Sequence, residues 1–233
     1  ATTTLSFQEG LANYTGTEDT VIFAQARDSN FGSETAISVD QQDANGVRQG
    51  LLQLKDLFGD GSIGFSQIPL GSKIESATLS FEITNPSTSQ AQMALYRMLE
   101  SWSESTATWN NPTSGSGTIG GVQASEGEST DLHPDVASVL GADAPVNDPD
   151  RMPGDPGTFD VTRSLQSWSS GETVNNGWLI ESTATDGWDW STSEDSQSSR
   201  PFLRVTFTPP SENEDTIGFI ETNVVQAEGD TGF

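Results

Sequence analysis

Residues 77–83, ATLSFEI, alternate without a break: Ala77, Leu79, Phe81 and Ile83 are apolar, and Thr78, Ser80 and Glu82 are polar. A period of two places successive side chains on opposite faces, so the pattern predicts a half-buried strand. Leu203, Val205 and Phe207 repeat it around Arg204 and Thr206, until Pro209-Pro210, which cannot donate to a ladder, stops it. Val21-Ile22-Phe23 is a short apolar run, and residues 93–98, MALYRM, are β-like with weaker alternation. Asn45-Gly46, Gly59-Asp60-Gly61, Pro69-Leu70-Gly71 and Asn176-Gly177 supply turn chemistry between such runs. Many short strands, many turns and few helical periods predict an all-β fold. The expected architecture is an antiparallel β-sandwich or jelly roll with one or two short helices.

Residues 161–180, VTRSLQSWSSGETVNNGWLI, change period midway. Val161, Leu165 and Trp168 recur at i, i+4 and i+7, on one helical face. Asp160 can cap the helix with its carboxylate, and Gly171 ends it. Asn175-Asn176-Gly177 turns the chain, and Trp178-Leu179-Ile180 enters a strand. Trp168 then anchors a short helix against the sandwich and Trp178 starts a core strand, so both read as scaffold.

Between residues 115 and 157 the composition shifts to Gly, Ser, Asp and Pro, with one short apolar patch at 136–140. This reads as a long surface excursion within a single domain over residues 1–209. Beyond it, residues 210–233 read as an acidic linker and one extra β-like run at 217–225. A lone strand needs a partner edge, so this run is a candidate for self-association.

Charge narrows the partners. The 233 residues hold 34 Asp+Glu against nine Lys+Arg, a formal net charge of -25. Such a field repels nucleic acid and anionic membranes and attracts cations. No apolar run reaches the length of a membrane span, so no membrane insertion is expected. The chain has no Cys, which excludes disulfides and thiolate sites, and His133 is its only His. A serine triad would have to use that His, beside Pro134 in an irregular stretch. No phosphate-binding or dinucleotide-binding glycine pattern occurs, and carboxylate pairs arise by chance among 34 acids. The expectation is a protein that is not an enzyme. The start at Ala1 is compatible with a signal peptide removed upstream, which suits an extracellular or cell-surface location.

Several stretches, in order, carry a family resemblance. They are LSFQEGLANYTGTEDTVI (5–22), SNFGSETAISVD (29–40), GLLQLKDLFGDGSIGFSQIPLGSKIESATLSFEI (50–83) and LYRMLESWSESTATWN (95–110). FDVTRSLQSWSSGETVNNGWLI (159–180), DGWDWSTSED (186–195) and RPFLRVTFTP (200–209) complete the series. In this order and spacing the chain resembles the DNRLRE-type domain of secreted bacterial and archaeal proteins, grouped with carbohydrate-binding modules that include alginate binders. The name-giving string is absent, and Gln53-Leu54-Lys55 stand where relatives tend to carry Arg-Phe-Asp. The resemblance implies a single extracellular jelly roll without catalysis. The tail, FIETNVVQAEGDTG, is similar to the first strand of a Calx-β-type repeat, which would make this chain part of a longer extracellular protein.

Two loops could hold Ca²⁺, which takes six to eight oxygens on a bent segment. One is residues 143–155, with Asp143, Asp148, Asp150 and Asp155. The other is residues 40–46, with Asp40, Asp43 and Asn45; both are equally readable as solvated acidic loops. For sugar, whose C–H faces pack on aromatic planes, the candidates are Trp188 and Trp190, two apart on one strand face, and Trp109 beside Asn110. Arg97 could contribute a local positive charge. Core packing is the competing reading for all three Trp. The expected function is a non-catalytic, Ca²⁺-stabilised extracellular module binding polysaccharide or cell-surface glycan. The alternative is a structural subunit of a matrix, surface layer or filament, assembled through residues 217–225.

Overall fold

The computed structural model describes residues 1–43, 46–85, 90–114, 120–122, 135–140, 157–182 and 185–211, with backbone alone at 42–43, 90–92 and 135–140. Before the helix run β1 (Thr3–Phe7), β2 (Thr17–Phe23), β3 (Ala36–Asp43), β4 (Gly46–Leu54), β5 (Lys73–Ser80), β6 (Ile83–Asn85), β7 (Gln90–Arg97), β8 (Asp135–Leu140) and β9 (Thr158–Asp160). Then come α1 (Thr162–Ser169), β10 (Trp178–Ser182), β11 (Trp188–Ser191) and β12 (Phe202–Thr208); a single 3-10 turn covers Leu11–Asn13.

The strands form two antiparallel sheets, the all-β sandwich that the alternation predicts. The smaller has the order β1-β12-β5-β9. The larger runs β6-β11-β3-β4-β10-β7-β8. β4 is its pivot: β2 lines one edge from Arg48 to Leu54, and the other edge is shared by β3 at Arg48 and β10 at Gly50 to Leu52. Between the sheets lies the main core, built from inward positions such as Leu52, Leu79, Leu95, Ile180 and Val205. Helix α1 closes one side of it. Asp160 accepts a hydrogen bond from Thr162 N (3.0 Å), and the Trp168 and Trp178 rings meet at 4.8 Å. Trp178 Nε1 donates to Ser164 Oγ at 3.0 Å, so both indoles are scaffold, as their spacing implies.

The larger sheet is also covered on its outer face. Ile22, Leu51 and Leu179 point there and pack under Met98, Trp102, Ala107 and Val122. This double burial explains why β4 and β10 read as continuous apolar runs, GLLQL and WLI.

Two expectations change in detail. The 77–83 alternation holds, with all four apolar side chains buried, but the stretch is two strands. The chain leaves the small sheet at Ser80 and joins the large one at Ile83, while Phe81 N donates to Gly157 O and Ser191 N donates to Glu82 O. A period of two survives such a switch, because both halves still face the same core. The apolar patch in the excursion is strand β8, paired with β7 from Asp135 to Leu140. Residues 143–155 and the tail run 217–225 lie outside the described residues.

Candidate functional site

The sequence-predicted sugar residues scatter. Trp188 and Trp190 do share one face of β11, but it is the inner face. Each indole is 1% exposed, against Phe159 and Phe81 respectively, so the stacking-platform expectation is corrected to core. Arg97 is 8% exposed and is the cross-strand partner of Trp178, placed on the inner side. Trp109 is half-buried against the outer cluster, edge-on to Gly120 and Gly121, and Asn110 is exposed with its amide on Asp28 Oδ1 at 2.8 Å. No shared surface joins these residues.

The ion candidates fare similarly. Asp40 is buried, and its Oδ1 accepts Gly187 N at 2.8 Å, so it works as a backbone clamp between β3 and the turn before β11. Asp43 contributes backbone to the β3–β4 pairing with Gly46; its side chain, Asn45, Asp143, Asp148, Asp150 and Asp155 lie outside the described residues.

What the fold does assemble is a cleft of about 550 Å³ at the end of β2, β3 and β4. Phe23, Phe31 and Ile37 form its apolar walls, and Arg48, Ser38 and Glu34 supply polar groups. Phe23 and Arg48 are direct cross-strand partners, which puts the guanidinium over the Phe23 ring at 4.4 Å. The two Phe rings lie 6.4 Å apart at 60°. Arg48 Nη1 donates to Ser38 Oγ, while its buried Nε has no partner among the described residues. Nearby Asp189, half-buried, has its carboxyl pushed up by burial, against the pull of the Asn85 hydrogen bond and the Arg48 charge. Half-exposed aromatic planes beside a fixed guanidinium are the chemistry that receives a sugar face and its hydroxyls. Sequence reasoning missed this cleft because Phe23 and Phe31 are eight residues apart and Arg48 sits on another strand. The β2–β4 register brings Phe23 and Arg48 together, and the segment between β2 and β3 folds Phe31 back against Phe23.

A second cluster lies along the free edge of β2. Asp19, Glu104 and Glu194 each place a carboxylate oxygen within 4.8 Å of the others. Asp19 N donates to Glu104 Oε1 (2.7 Å) and Thr17 N to Glu9 Oε2 (3.1 Å), so carboxylates finish the edge that β4 leaves open. Asp19 itself is 0% exposed, and Ser193 N donates to its Oδ2 at 2.8 Å. Burial, reinforced by Glu194, holds the Asp19 carboxyl well above the usual range despite that bond. Burial, Glu194 and Glu18 push Glu104 up to about 7, opposed by the Asp19 N–H and Lys55. Lys55 is itself paired with Glu18. The sequence carried one signal here: in TEDTVIF the period of two puts Asp19 on the core side with Val21, where an acid needs a reason.

The comparisons with known proteins agree with a binding role. The profile of carbohydrate-binding module family 96 matches residues 11–142, which include both walls of the cleft, and Asp19 and Glu104. The match bears out the carbohydrate-binding part of the resemblance; it does not speak to the DNRLRE-type designation or to the Calx-β likeness of the tail. No curated protein matches the chain. With more than half its length under that profile, the chain belongs to carbohydrate-binding module family 96.

Proposed function

We propose that this chain is a non-catalytic extracellular module that binds polysaccharide in the Phe23–Phe31–Arg48 cleft. The observation that carries the reading is the Arg48 guanidinium stacked over Phe23 inside an open, aromatic-walled cavity. A pyranose ring lies against Phe31 and Phe23, and Arg48 donates to ring hydroxyls or to a uronate carboxylate. With Arg48 and Glu34 as its charged lining residues, the cleft is locally balanced within a chain of net charge -25. An acidic glycan therefore meets long-range repulsion, and its binding strengthens with salt, whereas a neutral glycan is indifferent to it. The extracellular assignment rests on the family and the acidic surface. Among the described residues no helix is long and apolar enough to cross a membrane.

Isothermal titration against soluble neutral glucans, xylans and mannans and against polyuronates tests the reading. Phe31→Ala and Arg48→Ala should each weaken the best ligand about tenfold, equivalent to ~1.4 kcal/mol. Silence across the panel, or unchanged affinity in both variants, overturns it.

A further inference from the structure

We propose that Asp19, Glu104 and Glu194 form a Ca²⁺ site that ties together three distant segments of the sandwich. Two oxygens bound to one Ca²⁺ at about 2.4 Å are at most about 4.8 Å apart. The three carboxylate oxygens meet that limit pairwise. The donors are all oxygen, with no imidazole or thiolate, which suits a hard cation and not zinc. Asp19 is fully buried, its Oδ1 has no hydrogen-bond partner among the described residues, and the groups beside it include two more carboxylates. A buried acid facing like charges with an idle oxygen is a cost the fold carries unless a cation sits there. Lys55, the positive charge that acts on Glu104, is held by Glu18. Exposure grades outward from Asp19 through half-buried Glu104 to exposed Glu194, leaving a path for the ion and room for water ligands.

The site touches more than β2. Glu104 O accepts Asn30 Nδ2 at 2.6 Å, and the loop approaches so closely at Gly32 that a Cβ there would lie 2.5 Å from Glu104 O. Two residues before Glu194, Thr192 N donates to Thr35 O (3.2 Å) and Thr192 Oγ1 to Glu34 O (2.5 Å). An ion on these carboxylates therefore braces residues 30–35 from both ends, and that loop carries Phe31 and Glu34 of the cleft. This corollary rests on the sugar reading; the ion site does not.

The test is calorimetric titration of CaCl₂ into the chelator-treated full chain, with thermal melts at constant ionic strength and MgCl₂ as the comparison ion. The wild type should take up Ca²⁺ saturably and melt higher in its presence, with Mg²⁺ giving a smaller shift. Asp19→Asn, nearly isosteric, should abolish that uptake, and Glu194→Gln should weaken it at least tenfold. Glu75→Gln, an exposed acid elsewhere, should leave Ca²⁺ uptake and the Ca²⁺-induced shift in melting unchanged. Glu194 is exposed, so its variant folds and decides the matter even if Asp19→Asn does not fold. No saturable uptake by the wild type, or uptake unchanged in Glu194→Gln, overturns the proposal. Sugar binding measured separately, with and without Ca²⁺, keeps a failure of the cleft distinct from a failure of the ion site.

Discussion

Gly50 has no side chain because the space beside it is taken. A Cβ there would stand 3.0 Å from Val39 Cγ2 and 3.3 Å from both Ile180 Cβ and Trp190 Cζ2, three neighbours that are themselves core. Gly50 is also the point of β4 where Val21 and Ile180 pair on opposite sides. Nothing there can move freely, so Gly50→Ala should cost about 1–3 kcal/mol, the usual penalty for overpacking, as a lowered denaturant midpoint with unchanged slope. The same crowding explains where Trp190 had to go. Two Trp spaced by one residue must share a face of a strand. That much is in the sequence, but the face is chosen by which neighbour leaves a hole, and Gly50 leaves it inside. A ligand platform and a core pair have the same local spelling. Phe23, Phe31 and Arg48 have the opposite problem: each looks ordinary alone, and their meaning lies in a cross-strand register and a loop return that no local pattern encodes.

At the scale of elements, the period of two marked the strand stretches 77–83 and 203–207, and the i, i+4, i+7 spacing of Val161, Leu165 and Trp168 marked the helix with Trp168 inward, because one-sided burial writes itself as periodicity. It was less informative where burial is two-sided. β4 and β10 have cores on both faces, so their apolar runs fix no orientation, and nothing local announces that Met98, Trp102, Ala107 and Val122 lie over the outer face. That cover is held by few groups. Trp102 Nε1 donates to Asn176 O (2.9 Å), and Gln49 brackets Val122 by accepting from its N–H (2.8 Å) and donating to its carbonyl (3.2 Å). Trp102→Ala should therefore cost about 3–5 kcal/mol. It should also raise amide exchange in Ile22, Leu51 and Leu179 more than in Leu79 or Val205 of the other sheet. Equal exchange in both sheets would mean that the outer cluster is not a separate packing unit. Glu104 belongs to this same cover, which links the outer cluster to the edge of β2.

Among the described residues, two sets of acids are displaced in opposite directions, and pH separates them. Exposed Asp60 and Glu75 have carboxyls held below their usual range by hydrogen bonds from Ser62 and Lys73. Their small stabilisation is present above the unfolded carboxylate range and is lost as pH falls; water screens it. Asp19, Glu104, Glu181 and Asp189 are shifted the other way, each chiefly by burial. For these the folded chain holds protons that the unfolded chain, titrating near pH 4, has already released. Between those two values the unfolded state binds fewer protons, so stability falls as pH rises. Glu104, at about 7, extends that fall to neutral pH. Self-repulsion from a net charge of -25 has the same sign, but 0.5 M salt screens it while leaving buried groups largely unscreened. Chelator-treated protein in high salt should thus melt higher at pH 5 than at pH 8, and Glu104→Gln should flatten the part of the slope between pH 6 and 8. Millimolar Ca²⁺ should reduce or invert the trend, because the ion needs the ionised carboxylates that burial opposes. A chelated protein equally stable at pH 5 and pH 8 would mean that the buried acids are accommodated by contacts other than protons or a cation.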